Sequence, residues 1–264
     1  MQNSTAFQKS LALTSAVWKA LFLREAGVRM FGSRMAWIWL IVEPLVNVMW
    51  LVAIFTIIRV RHVGGIETAL WIAVGMLVFL TFRRTLTQVQ NGIDANKSLF
   101  AYRQVRPGDV ALVRALVEGF LMFLISTAVF FAGAFIGWMA WPVNAWGVLE
   151  AFIAVWLCAV GLGLVFAVLV KLVPETGRII GFIMTPLMMI SGVIFPLSAI
   201  QEPYLSLLLL NPLAHAVEAA RIAFSPYYHS VPGVDLLFVY QSALVLVFIG
   251  LALLRRFNQR LVMD

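Results

Sequence analysis

Six long apolar runs, at about 36–58, 68–82, 119–141, 151–170, 179–195 and 236–254, alternate along the chain with shorter polar segments. A stretch of ~17–25 apolar residues suffices to carry a helix across a bilayer core. The pattern therefore predicts an all-α polytopic membrane protein with six transmembrane helices. Ahead of the first run, residues 14–31 contain no proline and one glycine and read as a helix. Val17, Leu21 and Val28 would form one stripe of it, while Lys19, Arg24, Glu25, Arg29 and Arg34 spread around the axis. An interfacial helix normally segregates its charges. This one is expected to pack partly on protein, its cationic stems reaching toward headgroups; plain anchoring by charge is the alternative.

The basic residues fix the orientation. Sixteen of the nineteen Lys and Arg fall on one side of the six runs, and Arg59, Arg61 and Arg221 on the other. The positive-inside bias places both termini in the cytoplasm. With 62% hydrophobic and 12% charged residues, against ~25% charged in a soluble domain, residues 1–264 read as one membrane domain. A net charge of +7, placed beside the spans, speaks for anionic cytoplasmic lipid and not for nucleic acid. Cys158 is the single cysteine, so no internal disulfide forms. Residues 1–35 lack a continuous apolar core ending in a cleavage site, and no removable signal peptide is expected.

Three segments carry polar groups that need an explanation. In the first span, Trp39, Glu43, Asn47 and Trp50 share one helical face. An ionised carboxylate at that depth costs ~2.5–3.5 kcal/mol on insertion scales, so Glu43 must face protein or water. The stripe suits a wet path for a polar, ring-shaped cargo; a subunit contact with Glu43 bonded to Asn47 or an N-terminal arginine is the alternative. Pro44 should kink the helix, and a neighbour must satisfy the carbonyl it frees. Between the second and third runs, the region 83–109 should extend the second helix into the cytoplasm and then form a short helix near 94–103. Leu99, Phe100 and Tyr102 would be offered there to a partner protein, a solvated loop being the alternative. Arg114 and Glu118, spaced i and i+4, are expected to pair. On the outer side, 196–235 contains Pro203 and Pro212 as helix starts, the latter capped by Asn211. Two short re-entrant helices, dipping into the outer half of the membrane, fit its greasy but interrupted sequence.

Missing chemistry narrows the function. No lysine follows a glycine, so no phosphate loop exists and the chain cannot hydrolyse ATP itself. His215 and Glu218 offer at most two metal ligands, where a catalytic zinc usually takes three; with Arg221 they read as a polar network. Paired charges at mid-membrane depth, expected of a proton-coupled transporter, are lacking. Energy would have to come from a partner.

Taken in order, these pieces resemble the membrane subunit of ABC-2 type exporters of lipid-linked polysaccharides. The N-terminal match is carried by Arg24, Glu25, Arg29, Gly32, Ser33, Trp39, Glu43 and Pro44; the middle match runs from Asn96 to Pro107, and the late one from Ser191 to Arg221. The short loops look most like the capsular polysaccharide exporters, while O-antigen and teichoic acid exporters share the plan. An exporter of small hydrophobic compounds and a scaffolding membrane protein are the competing classes. The resemblance implies a homodimer in the bacterial inner membrane with two copies of a cytoplasmic ATPase, which bind the ATP and Mg; this chain would need no cofactor or metal. It implies that residues 94–104 dock into that ATPase through Asp94, Asn96, Lys97, Leu99, Phe100, Tyr102 and Arg103. The substrate would be an acidic polysaccharide on a phospholipid end, handed on to periplasmic and outer-membrane proteins. Arg24, Arg29, Arg34, Arg83 and Arg84 are placed to meet the phosphate headgroup, and Trp39 and Trp50 to stack on sugar rings. Asn211, Pro212, His215, Glu218 and Arg221 would belong to an outer gate. Reversing the charge of Arg24 and Arg29 together should then block export and leave assembly intact.

Overall fold

The computed structural model describes residues 2–32, 34–58, 61–101 and 105–263. Over these residues the chain runs through α1 (Gln2–Phe31), α2 (Ala36–Ile57), a hairpin of β1 (His62–Val63) and β2 (Ile66–Glu67), then α3 (Thr68–Gln90). A 3-10 helix (Asp94–Ala101) follows, then α4 (Pro107–Phe135), α5 (Ala145–Leu172) and α6 (Glu175–Ile190). The outer segment holds a 3-10 turn (Leu197–Ala199), α7 (Tyr204–Leu208) and α8 (Pro212–Phe224), and α9 (Leu236–Met263) closes the chain.

Several helices begin before their apolar runs because the caps lie earlier. Pro107 opens α4 at a position where its missing N–H costs nothing, and Asp109 accepts the Arg106 N–H at 3.3 Å. The Asn144 side chain accepts the Gly147 N–H at 2.9 Å and starts α5. The hairpin departs from the all-α expectation. Gly64 and Gly65 have φ of 57° and 88°, as a two-residue turn with both central residues in the left-handed region requires.

Among the described residues five helices, α2, α3, α4, α5 and α9, are long and apolar enough to cross a membrane. The fifth run, 179–195, is realised differently. α6 has 16 residues, or ~24 Å, against a hydrocarbon core of ~30 Å. The helix stops at Ser191 because Gly192 turns the chain with a φ of 72°.

α3 forms the axis of the bundle. It is 83% buried over its most apolar stretch, against 11% for α2, so the other helices are arranged around it. Trp71, Leu77 and Phe79 of α3 pack with Ala154 and Val155 of α5 and with Val217 and Phe224 of α8. α6 packs mainly against α5. α1 lies on α4 through Trp18, Leu21, Phe22, Ala26 and Met30, and the Trp18 Nε1–H donates to Asp109 at 3.0 Å. The expected stripe of Val17, Leu21 and Val28 is thereby corrected: Val28 is 59% exposed. The contact repeats every four residues from Trp18, a row that a stripe drawn from aliphatic residues alone passes over.

The α5–α9 seam is the tightest. A Cβ on Gly161 would stand 2.6 Å from the Val247 amide nitrogen and 2.7 Å from Leu246 Cβ. Gly161→Leu is therefore expected to wedge the two helices apart at a cost of about 1–3 kcal/mol. A lowered thermal midpoint in detergent checks this, with Gly181→Ala, whose Cβ would meet nothing within 4 Å, as the neutral comparison.

Candidate functional site

At one end of the bundle, charges on α1, α3 and α4 form a closed cluster. Glu118 of α4 is fully buried, 2.8 Å from both Arg29 Nη1 and Arg84 Nε. Glu25 lies 2.9 Å from Arg114 Nε and 3.4 Å from Arg29 Nε. The expected Arg114–Glu118 pair does not form. Two helices each carry a Glu and an Arg one turn apart, in opposite order, and packing them face to face exchanges partners. Burial drives the exchange, because a carboxylate removed from water needs more than one cation beside it. Arg29 and Arg84, two of the five cations expected to meet a headgroup, thus already have their charge neutralised within the fold. Arg24 is exposed and donates to the Asn96 Oδ1 at 3.3 Å. Arg34 and Arg83 are exposed.

Arg84 has a second role. Its Nη1 donates to the Leu40 carbonyl at 3.4 Å, the acceptor that Pro44 leaves without its helical donor. The carboxylate of Glu43 lies 3.9 Å from the same Nη1, and the Asn47 Nδ2 donates to the Glu43 backbone carbonyl at 2.8 Å. The alternatives of an Asn47 or N-terminal arginine partner for this carboxylate are replaced by Arg84 of α3. Pro44 and Val48 face inward, while Trp39 is 65% and Trp50 67% exposed. The fold of this chain therefore leaves a face with two indoles and the half-exposed Glu43 carboxylate uncovered.

The region expected to couple to an ATPase is partly structural. Asn96 is buried, donates to the Gly92 carbonyl at 3.1 Å and accepts from Arg24. Asp94 lies 3.3 Å from Lys171 and 3.5 Å from Lys97. Phe100 is half-buried, packed against the cluster that contains Val89, Ile93 and Ala111, and so is only partly offered outward. Asp94, Lys97 and Ser98 remain exposed and Leu99 half-exposed. Tyr102 and Arg103 lie outside the described residues.

At the opposite end of the bundle α8 lies within the core. Arg221 is 0% exposed. Its Nη1 donates to the Gly192 carbonyl at 2.8 Å and to Glu218 at 3.1 Å, its Nη2 to the Val193 carbonyl at 3.4 Å and its Nε to the Trp71 carbonyl at 3.3 Å. The guanidinium stands 3.9 Å from the Trp71 ring centroid, so charge, planar fork and ring all engage it. Glu218 also accepts from the Tyr228 hydroxyl at 2.8 Å. Burial pushes the Tyr228 phenol up to about 12, so it stays a donor at any physiological pH. His215 accepts the Asp235 N–H at Nδ1, 3.0 Å, which leaves Nε2–H to donate to the Leu209 carbonyl at 2.7 Å. Asn211 caps α8 at the Leu213 N–H, 3.0 Å, and donates to the Ser191 hydroxyl at 2.8 Å. Pro212 occupies the first turn. These bonds satisfy carbonyls freed where α6 and α7 end, the shielding that a broken helix requires in lipid. No group of three or more His, Cys, Asp or Glu able to hold a metal occurs among the described residues.

Residues 16–225 match the family described as ABC-2 type transporter. The polysialic acid transport protein KpsM of Escherichia coli is 36% identical, over 90% of this chain and 92% of its own length. The capsule polysaccharide export inner-membrane proteins CtrC of Neisseria meningitidis and BexB of Haemophilus influenzae are 28% and 26% identical, each match covering 97% of both chains.

Proposed function

We propose a function from one premise: this chain belongs to the ABC-2 type transporter family. It is the permease subunit of an exporter that carries an acidic, lipid-linked capsular polysaccharide outward across the bacterial inner membrane. The observation that carries this reading is the uncovered face of α2, with Trp39, Glu43, Asn47 and Trp50, in a chain that is similar over nearly its whole length to named capsule exporters.

A second copy of the chain covers the bare flanks of α2 and α6, where Met49, Phe182 and Ile183 are exposed, and the two α2 faces line a canal between the copies. Indole faces stack on sugar rings there, and Glu43 and Asn47 keep the wall wet. The fifth crossing is completed by α6 together with the turn after Ser191, and both termini lie in the cytoplasm. Arg24, Arg34 and Arg83 meet the anionic end of the substrate, with Arg29 and Arg84 setting the frame behind them. Two copies of a cytoplasmic ATPase, holding ATP and Mg, press on the surface of Asp94, Lys97 and Leu99. α8 is fixed in the core, so the gate is narrowed to α7, whose Tyr204 and Leu207 are exposed. Periplasmic and outer-membrane proteins receive the polymer.

Reconstituted with its ATPase in liposomes, the chain should show ATP turnover that rises severalfold with an acidic lipid-linked glycan and not with an uncharged one. Turnover indifferent to the glycan would overturn the reading.

A further inference from the structure

Between the inner halves of α3 and α6 lies a cavity of ≈ 450 Å³. It runs from Phe79 to Asn91 along α3 and from Gly177 to Met188 along α6, ~17 Å of helix on each side. Its walls are mixed in character. Arg83 is the one charged residue lining it, beside Thr87, Gln90, Asn91 and Thr185. Gly181 leaves its side open, a Cβ there meeting nothing within 4 Å.

Two unmatched groups face this space. The Arg83 side chain makes no ion pair or hydrogen bond to any described residue, unlike its neighbour Arg84, which turns to the other side of α3 and is held by Glu118 and Leu40. Gln90 is 8% exposed, and its Oε1 is buried without a hydrogen-bond partner. A buried acceptor left without a donor is costly, about 1–3 kcal/mol, and natural structures retain few of them. The two demands are of opposite kind. The guanidinium asks for an anion, and the amide oxygen asks for a hydroxyl or N–H donor. A phosphodiester, which carries no O–H, meets the first and not the second; a neutral sugar meets the second and not the first.

We propose that the α3–α6 cavity binds an anionic group bearing hydroxyls, with Arg83 as its counter-ion and Gln90 Oε1 accepting from one hydroxyl. Two sources share this chemistry: a sugar acid at the end of the exported glycan, and the phosphoglycerol headgroup of an anionic lipid. The inference rests on the proposed export of an acidic glycan in identifying the first source. The cavity opens beside the face on which cytoplasmic cations cluster, so it would hold the leading unit of the polymer at the inner rim before it reaches the canal. Thr87 and Thr185 add hydroxyls that can accept or donate, and Gly177 and Gly181 admit a ring where any larger residue would close the space.

The test uses the full chain without its ATPase, in phosphatidylcholine nanodiscs, with Thr185→Cys as a reporter; Thr185 is exposed on the cavity wall and the native Cys158 is buried. The rate of modification by a cationic thiosulfonate is followed with a sialic acid disaccharide, with maltose, or with phosphatidylglycerol added to the disc. The disaccharide or phosphatidylglycerol should slow modification severalfold and maltose should not; which of the two protects assigns the source. Arg83→Gln removes a charge-assisted contact and should raise the half-protecting concentration about tenfold or more. Because Arg83 is exposed, that variant keeps its fold, which gel filtration verifies. Gln90→Leu should weaken protection by the disaccharide as well. Protection by neither anion, equal protection by maltose, or protection unchanged in Arg83→Gln would overturn the proposal. Since no ATPase is present, such a failure is separate from any failure of glycan-dependent turnover.

Discussion

Replacing Glu118 by alanine is expected to prevent stable folding of the inner half of the bundle. Glu118 is fully buried and stands 2.8 Å from both Arg29 and Arg84. Its removal takes the nearest anion from both guanidinium groups, leaving Arg29 only Glu25 at 3.4 Å and Arg84 only Glu43 at 3.9 Å. Breaking a buried pair from one side costs about 3–5 kcal/mol, and here one change weakens the pairing of two cations. A domain holds about 5–15 kcal/mol in total, so the loss is a large share. The measurement is the thermal midpoint of the purified chain with proteolysis of α1, which should detach from α4 and become cleavable. A midpoint and a digestion pattern like the parent's would show that the cluster contributes little. The same geometry changes what is expected of the Arg24 and Arg29 double reversal. Placing a carboxylate at position 29 sets it against Glu118 and Glu25, so assembly itself should suffer; Arg24→Glu alone is the variant that reports on substrate.

The other large effect is expected at the outer end. Arg221→Met should abolish accumulation of the chain in membranes. The guanidinium satisfies the carbonyls of Gly192, Val193 and Trp71 besides Glu218, and each buried acceptor left bare costs about 1–3 kcal/mol. Gly75→Ala should act in the same direction, because its Cβ would collide with Arg221 Nη2. Replacing Arg221 and Glu218 together by methionine should recover part of the loss, since no buried charge then stands alone. Immunoblots of membranes and thermal midpoints check the series. An Arg221→Met chain that accumulates normally would assign the cluster a role other than holding the fold.

Local features were legible in the sequence, and features that depend on which helices face each other were not. The charge sorting, the α3 extension beyond Arg84 and the Asn211–Pro212 start of α8 each rest on short-range rules of length, solvation and capping, and the helices formed accordingly. Pro44 announced a freed carbonyl, yet nothing near it in the chain pointed to Arg84 as the donor, 40 positions downstream of Pro44. Arg114 and Glu118 looked like a helical pair for the same reason, since nothing in the chain brought Glu25 and Arg29 beside them. Phe100 read as an exposed apolar residue because its partial cover, the cluster that includes Ile93 and Ala111, is assembled only in the fold. The Gly64-Gly65 turn was readable in principle, as paired glycines between Val63 and Ile66 suit a tight hairpin. The shortness of α6 followed from Gly192, which interrupts an otherwise apolar run.

α3 is clamped at both tips. Trp71 and Gly75 sit under Arg221 at one end, and Arg84 is tied to Glu118 and Leu40 at the other. It can neither slide nor rotate without dismantling one clamp. α2 and α6 hang beside this pillar with wide bare flanks, and each carries an internal proline, Pro44 and Pro186. Freedom of movement is therefore apportioned before any partner arrives: a fixed mast with two hinged leaves.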